Sequence, residues 1–68
     1  MKIKNVKVGV RVVSKVNFFG VHIGDVGTVI EEDDAPYVQW DREDANRTNY
    51  RGTPCTSVPH FELRKYKE

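Results

Sequence analysis

The chain is poor in the residues that would give it chemistry. Its one cysteine, Cys55, has no partner for an internal disulfide, and no charged start leads into an apolar stretch of the signal-peptide kind. The cytoplasm, or another intracellular soluble compartment, is therefore the expected location. One cysteine and two histidines, His22 and His60, fall short of the four ligands of a zinc site, and no Cys-x-x-Cys pair anchors one, so neither metal nor cofactor is expected. The apolar runs are only a few residues long, too short to cross a bilayer, which argues against membrane insertion. No segment keeps helical periodicity over three turns. A surplus of one charge is missing too: 11 basic and 10 acidic residues leave a formal +1, which weakens the case for a purely electrostatic binder.

The same scarcity argues against catalysis. Cys55 and His60 are separated by a stretch bounded by Pro54 and Pro59, and no third group is placed to orient them. Glycines 20, 24 and 27 lack the spacing of a phosphate-binding loop and precede no helix start. The run Glu31-Glu32-Asp33-Asp34 has neither the spaced ligands nor the turn glycine of a calcium loop. A noncatalytic protein is the expectation.

What is present is strand patterning. With 68 residues the chain forms one domain over 1–68, and a domain of this size buries only roughly 60% of its unfolded surface. Val6, Val8, Val10 and Val12 recur at period two and predict a first strand. Segment 16–24 loses the alternation and reads as a long loop or irregular hairpin carrying Phe18 and Phe19. Val26 and Val29 lie three apart, so both reach one core only if a bulge at or near Gly27 absorbs a residue. The acidic run is then a reversal, closed by Pro36, which delays the next strand. Val38 and Trp40 share a side, which predicts a core tryptophan whose indole N–H finds a partner near the rim. Residues 47–51 are a candidate strand, Gly52-Thr53-Pro54 interrupts, Ser57 and Pro59 favour a short helical turn, and Phe61 and Leu63 share one side of a last strand.

Five short strands with these turn signals predict an all-β fold, a small barrel or strongly curled sheet. The run Gly24-Asp25-Val26-Gly27-Thr28-Val29, with Tyr37-Val38-Gln39-Trp40-Asp41 and Phe61-Glu62-Leu63, resembles SH3-like barrels. It is similar to the stromal barrel subunit of photosystem I, to the barrel domains of mind-bomb and HERC-type ubiquitin ligases, and more loosely to KOW barrels. The resemblance implies an SH3-like barrel with a long first loop. Its photosystem-like form implies docking on membrane proteins beside a soluble electron carrier, and its ligase-like form implies peptide recognition.

Two binding surfaces follow from the residues. A protein-interaction surface would use Phe18, Phe19, His22 and Tyr50, or Tyr66, with the acidic tip of Glu31, Glu32, Asp33 and Asp34 facing a basic partner. The alternative is contact with RNA or DNA. Every charge before position 16 is positive, and the last segment is again basic, so pairing of the terminal strands would join Lys7, Arg11 and Lys15 to Arg64 and Lys65 in one strip. Eight acids against Arg42 alone between Asp25 and Asp44 oppose that reading unless they face elsewhere.

Overall fold

A computed structural model of the chain describes residues 1–67. Six antiparallel strands make one sheet: β1 (Arg11–Ser14), β2 (Val26–Glu31), β3 (Tyr37–Trp40), β4 (Thr48–Tyr50), β5 (Thr53–Ser57) and β6 (Leu63–Lys65). Their spatial order is β4-β5-β3-β2-β1-β6. The first three strands form a meander, with Val12 opposite Gly27 and Val29 opposite Val38. Single 3-10 turns at Ile3–Asn5, Glu43–Ala45 and His60–Glu62 bridge the remaining segments.

Val12, Val29, Val38, Trp40 and Leu63 line the interior from the strands, while Val6, Val21, Ala45 and Val58 enter it from the connections. Trp40 is buried beside Val38, and its Nε1 donates to the Thr56 carbonyl at 3.1 Å. This is the rim partner that an amphipathic indole requires when its ring is withdrawn from water.

The expected SH3-like barrel does not form: the fold is all-β, but its sheet is open, with β4 and β6 as its two ends. The seam between β3 and β5 is short. They pair at Tyr37–Ser57 and Val38–Thr56, and two steps further the register would set Trp40 against Pro54, which has no N–H to give. The Asn46 side chain occupies that place. Trp40 N donates to Asn46 Oδ1 at 2.7 Å, and Asn46 Nδ2 donates to the Trp40 carbonyl at 2.9 Å, so one amide stands in for a strand neighbour. The interior is sealed by the four connecting side chains rather than by a sixth strand-to-strand seam.

Other expectations change for local reasons. Six strands replace five because 53–57 is extended in spite of Pro54, pairing with β4 through Thr48–Cys55 and Tyr50–Thr53. The helical turn falls at His60–Glu62, with Pro59 as its N-cap instead of Ser57. The first strand begins at Arg11: Val6 is buried ahead of it, Val8 is exposed, and Gly9 at φ +94 turns the chain between them. Gly27 marks no bulge. Val26 faces away from the core and the register shift lies between Val29 and Glu31. Gly27 is glycine because a Cβ there would meet Val38 Cγ1 at 2.5 Å and the Gln39 carbonyl at 2.8 Å.

Candidate functional site

The segment between β1 and β2 is a tight hairpin held on a braced loop. Phe18 and Val21 exchange both backbone hydrogen bonds at 2.8 Å, leaving Phe19 and Gly20 as the two central residues. Both have positive φ, +45 and +95, the signature of a type I′ reversal. Asparagine, aspartate and glycine suit those positions, whereas a phenylalanine there is a true outlier. Gly20 has a second reason to be glycine, since a Cβ would meet Arg47 Nε at 2.5 Å. Val21 is fully buried and pins the hairpin to the core, so its neighbours are turned outward: Phe18, Phe19 and Ile23 are 44%, 64% and 65% exposed.

Asp25 organises the base of this loop. Its carboxylate accepts from Arg42 Nε at 3.1 Å, from the second Arg42 nitrogen at 2.7 Å and from the His22 amide at 2.8 Å, and Arg42 also donates to the Gly20 carbonyl at 2.6 Å. The Asn17 side chain accepts from Ile23 N at 3.0 Å. The Asp25 side chain is 14% exposed. The hydrogen bonds from Arg42 hold its carboxyl below the usual range, helped by the His22 amide and the Arg42 charge and opposed by burial. The aromatic tip is therefore presented on fixed backbone.

The sequence surface that combined Phe18, Phe19, His22 and Tyr50 divides in two. The aromatic hairpin precedes β2 and the acidic reversal follows it, so they sit at opposite ends of a six-residue strand, about 17–20 Å apart. Tyr50 belongs to the acidic end, where its hydroxyl donates to Glu31 at 2.6 Å and its ring stacks on Tyr37 with centroids 4.5 Å apart. Glu31 raises the Tyr50 hydroxyl above the ordinary tyrosine range, through that hydrogen bond first. Glu32 lies 3.6 Å from Lys7, and Asp33 accepts from the Asp34 amide at 2.7 Å. Much of the acidic tip is thus engaged within the chain.

The basic strip is also divided. β1 and β6 do pair, with Val13 opposite Arg64 and Val12 opposite Lys65. Adjacent strand residues point to opposite faces, so Arg64 lies on the outer face and Lys65 on the side of Val12 and the core. Arg11 is held on the outer face by two hydrogen bonds to Asp41, at 2.8 and 2.5 Å, and one to Thr28 at 2.9 Å. The Arg11 hydrogen bonds are the main reason that the Asp41 carboxyl is lowered. Lys15 is exposed beside the last connection, its amide bonded to the Glu62 carbonyl at 2.9 Å.

Three features escaped sequence reasoning: Ile23 as part of the exposed tip, and the pairs Arg42–Asp25 and Arg11–Asp41. The lone cation within an acidic segment was the available signal for Arg42, but nothing in the spacing chooses Asp25 over its seven rivals. Cys55 is buried in β5 at 3.9 Å from the Thr48 hydroxyl, while the His60 ring meets the Met1 carbonyl at 2.9 Å. Among the described residues no group of three or more His, Cys, Asp or Glu is arranged to hold a metal ion, and no helix is long and apolar enough to cross a membrane. Comparison with family models, with curated proteins and with solved structures finds no match in any of the three.

Proposed function

We propose that the chain is a noncatalytic interaction module that docks on a larger protein through the Phe18–Phe19–Ile23 tip. The observation that supports this most is Phe19 itself, a large ring that is mostly exposed and held at φ +45. An exposed aromatic contributes little to folding, and this one occupies a position where asparagine or glycine would be less strained. Strain retained at a projecting apolar group is typical of sites that meet a partner. Phe18 is tilted against it, with ring centroids 6.5 Å apart, so the two rings form one exposed apolar patch.

The partner is a protein with an apolar pocket of matching size. Charge plays a small part in this contact, because Arg42 is neutralised by Asp25, and Arg47 shares the neighbouring cleft with Glu43 and Asp44. Capture should therefore change little with salt, while a strand of RNA or DNA held by Lys7, Arg11, Lys15, Arg64 and Lys65 would be released steeply. The test is affinity capture from native lysate by the wild type and by Phe19→Ala, with and without nuclease, at two salt concentrations. Loss of specific protein bands with Phe19→Ala, indifferent to nuclease and salt, is the expected result. Equal capture by the variant, or bands that vanish with nuclease, would overturn the reading.

A further inference from the structure

The N-terminal 3-10 turn, the start of β1 and the end of β6 enclose a cleft of about 350 Å³ lined by Met1, Lys4, Asn5, Lys7, Val10 and Lys65. Three of its six residues are lysines and none is an acid. Met1 and Val10 pack against the core, so the floor is apolar and fixed. The lysines project from backbone that is itself tied down: Asn5 N bonds the Lys2 carbonyl, Val6 N that of Ile3, Val10 N that of Lys7, and Gly9 N that of Val29 on β2. Buried Val6 sits between Lys4 and Lys7 in the chain and anchors both. Among the described residues Lys4 and Lys65 have no carboxylate within ion-pair distance, and Lys7 has one exposed partner, Glu32 at 3.6 Å.

Three lysines line this one small concavity with no acid among its residues, and a multivalent anion would relieve their mutual repulsion. We infer that this cleft binds a compact oligophosphate group, two or more linked phosphates, with Lys4, Lys7 and Lys65 as point-charge donors and the Asn5 amide as a neutral one. Lysine is suited to phosphate in this role, and the volume lies in the range of small-ligand sites. A compact ligand fits better than an extended nucleic-acid strand. Beyond Lys7 the path runs into Glu32, Asp33 and Asp34, which line the adjoining cleft with Lys4 and Lys7. On the other side Arg64 is turned to the opposite face and Arg11 is bound to Asp41. The cationic ground ends at the cleft. This site is independent of the aromatic hairpin and does not rest on the docking role proposed for it.

Titration of the labelled chain with inorganic tripolyphosphate, followed by amide chemical shifts, tests the inference, with a single-stranded oligonucleotide as a parallel arm. Shifts should cluster at Lys4, Asn5, Lys7, Val10 and Lys65. A Lys4→Gln/Lys65→Gln double variant should weaken tripolyphosphate binding by about tenfold or more. Glu32→Gln frees Lys7 and should tighten binding severalfold, whereas Lys15→Gln, which removes the same charge outside the cleft lining, should weaken it far less. All these positions are exposed, and an unchanged spectrum elsewhere reports an intact fold. Shifts scattered over every lysine, equal weakening by Lys15→Gln, or binding of the oligonucleotide but not of tripolyphosphate would overturn the assignment.

Discussion

Replacing Phe19 by asparagine and by alanine separates what its ring does from what its backbone costs. Both substitutions remove a ring that is 64% exposed, so the lost burial is a third of that of a core phenylalanine, roughly 0.5–1 kcal/mol. The φ of +45 remains in both variants because Gly20, Val21 and the paired bonds of Phe18 still demand the same reversal. Alanine bears that conformation at about 1–2 kcal/mol, as phenylalanine does, whereas asparagine relieves much of it through local hydrogen bonding. Phe19→Asn should therefore be more stable than Phe19→Ala by about 1 kcal/mol, a difference of roughly 4–8 °C in melting temperature for a domain of this size. Fluorescence of buried Trp40 during thermal or urea unfolding reads the difference, and partner capture should be lost equally in both. Alanine matching or exceeding asparagine would refute the left-handed assignment. Severe destabilisation by both would show that the ring serves the core.

Gly27→Ala should destabilise the fold by about 1–3 kcal/mol, because the added methyl meets Val38, the Gln39 carbonyl and Trp40 with nowhere to move; urea midpoints check this. Asn46→Ala leaves the Trp40 backbone without its two amide partners and should cost about 1–3 kcal/mol, with faster hydrogen exchange at the Trp40 amide as the local signature. The Asp25 carboxyl is lowered in the folded chain, so the stability it contributes is complete above the ordinary carboxylate value of about 4 and is lost as pH falls through the lowered one. Asp25→Asn should accordingly reduce stability at neutral pH by roughly 1–2 kcal/mol and flatten the acid limb, the two proteins converging in strong acid.

The alternation of Val38 and Trp40 made the third strand legible because both sides of the period-two pattern were occupied as physics requires, apolar inward and polar outward. The same reasoning misplaced the first strand. Val6, Val8 and Val10 alternate, but Gly9 turns the chain and Val6 reaches the core from a 3-10 turn, a use of valine that periodicity cannot distinguish from a strand. Pro54 concealed the fifth strand, since a missing N–H ordinarily ends a ladder, and here the Asn46 side chain, which no sequence pattern marks for that role, makes good the loss. The aromatic residues of the tip were visible as oddities. Their separation from Tyr50 was not, because it depends on which end of β2 each loop occupies.

The unsealed sheet has a further consequence for how this chain behaves in crowded solution. Its outermost ribbons, β4 and β6, each have one edge without a strand neighbour, and each is only three residues long. One carries Arg64 and Lys65, and the other ends at once in the tight Arg51–Gly52 reversal into β5, both residues at positive φ. Short and cationic margins of this kind discourage stacking into fibrils. Neutralising Arg64 and Lys65 together would lift one of those guards and favour self-association.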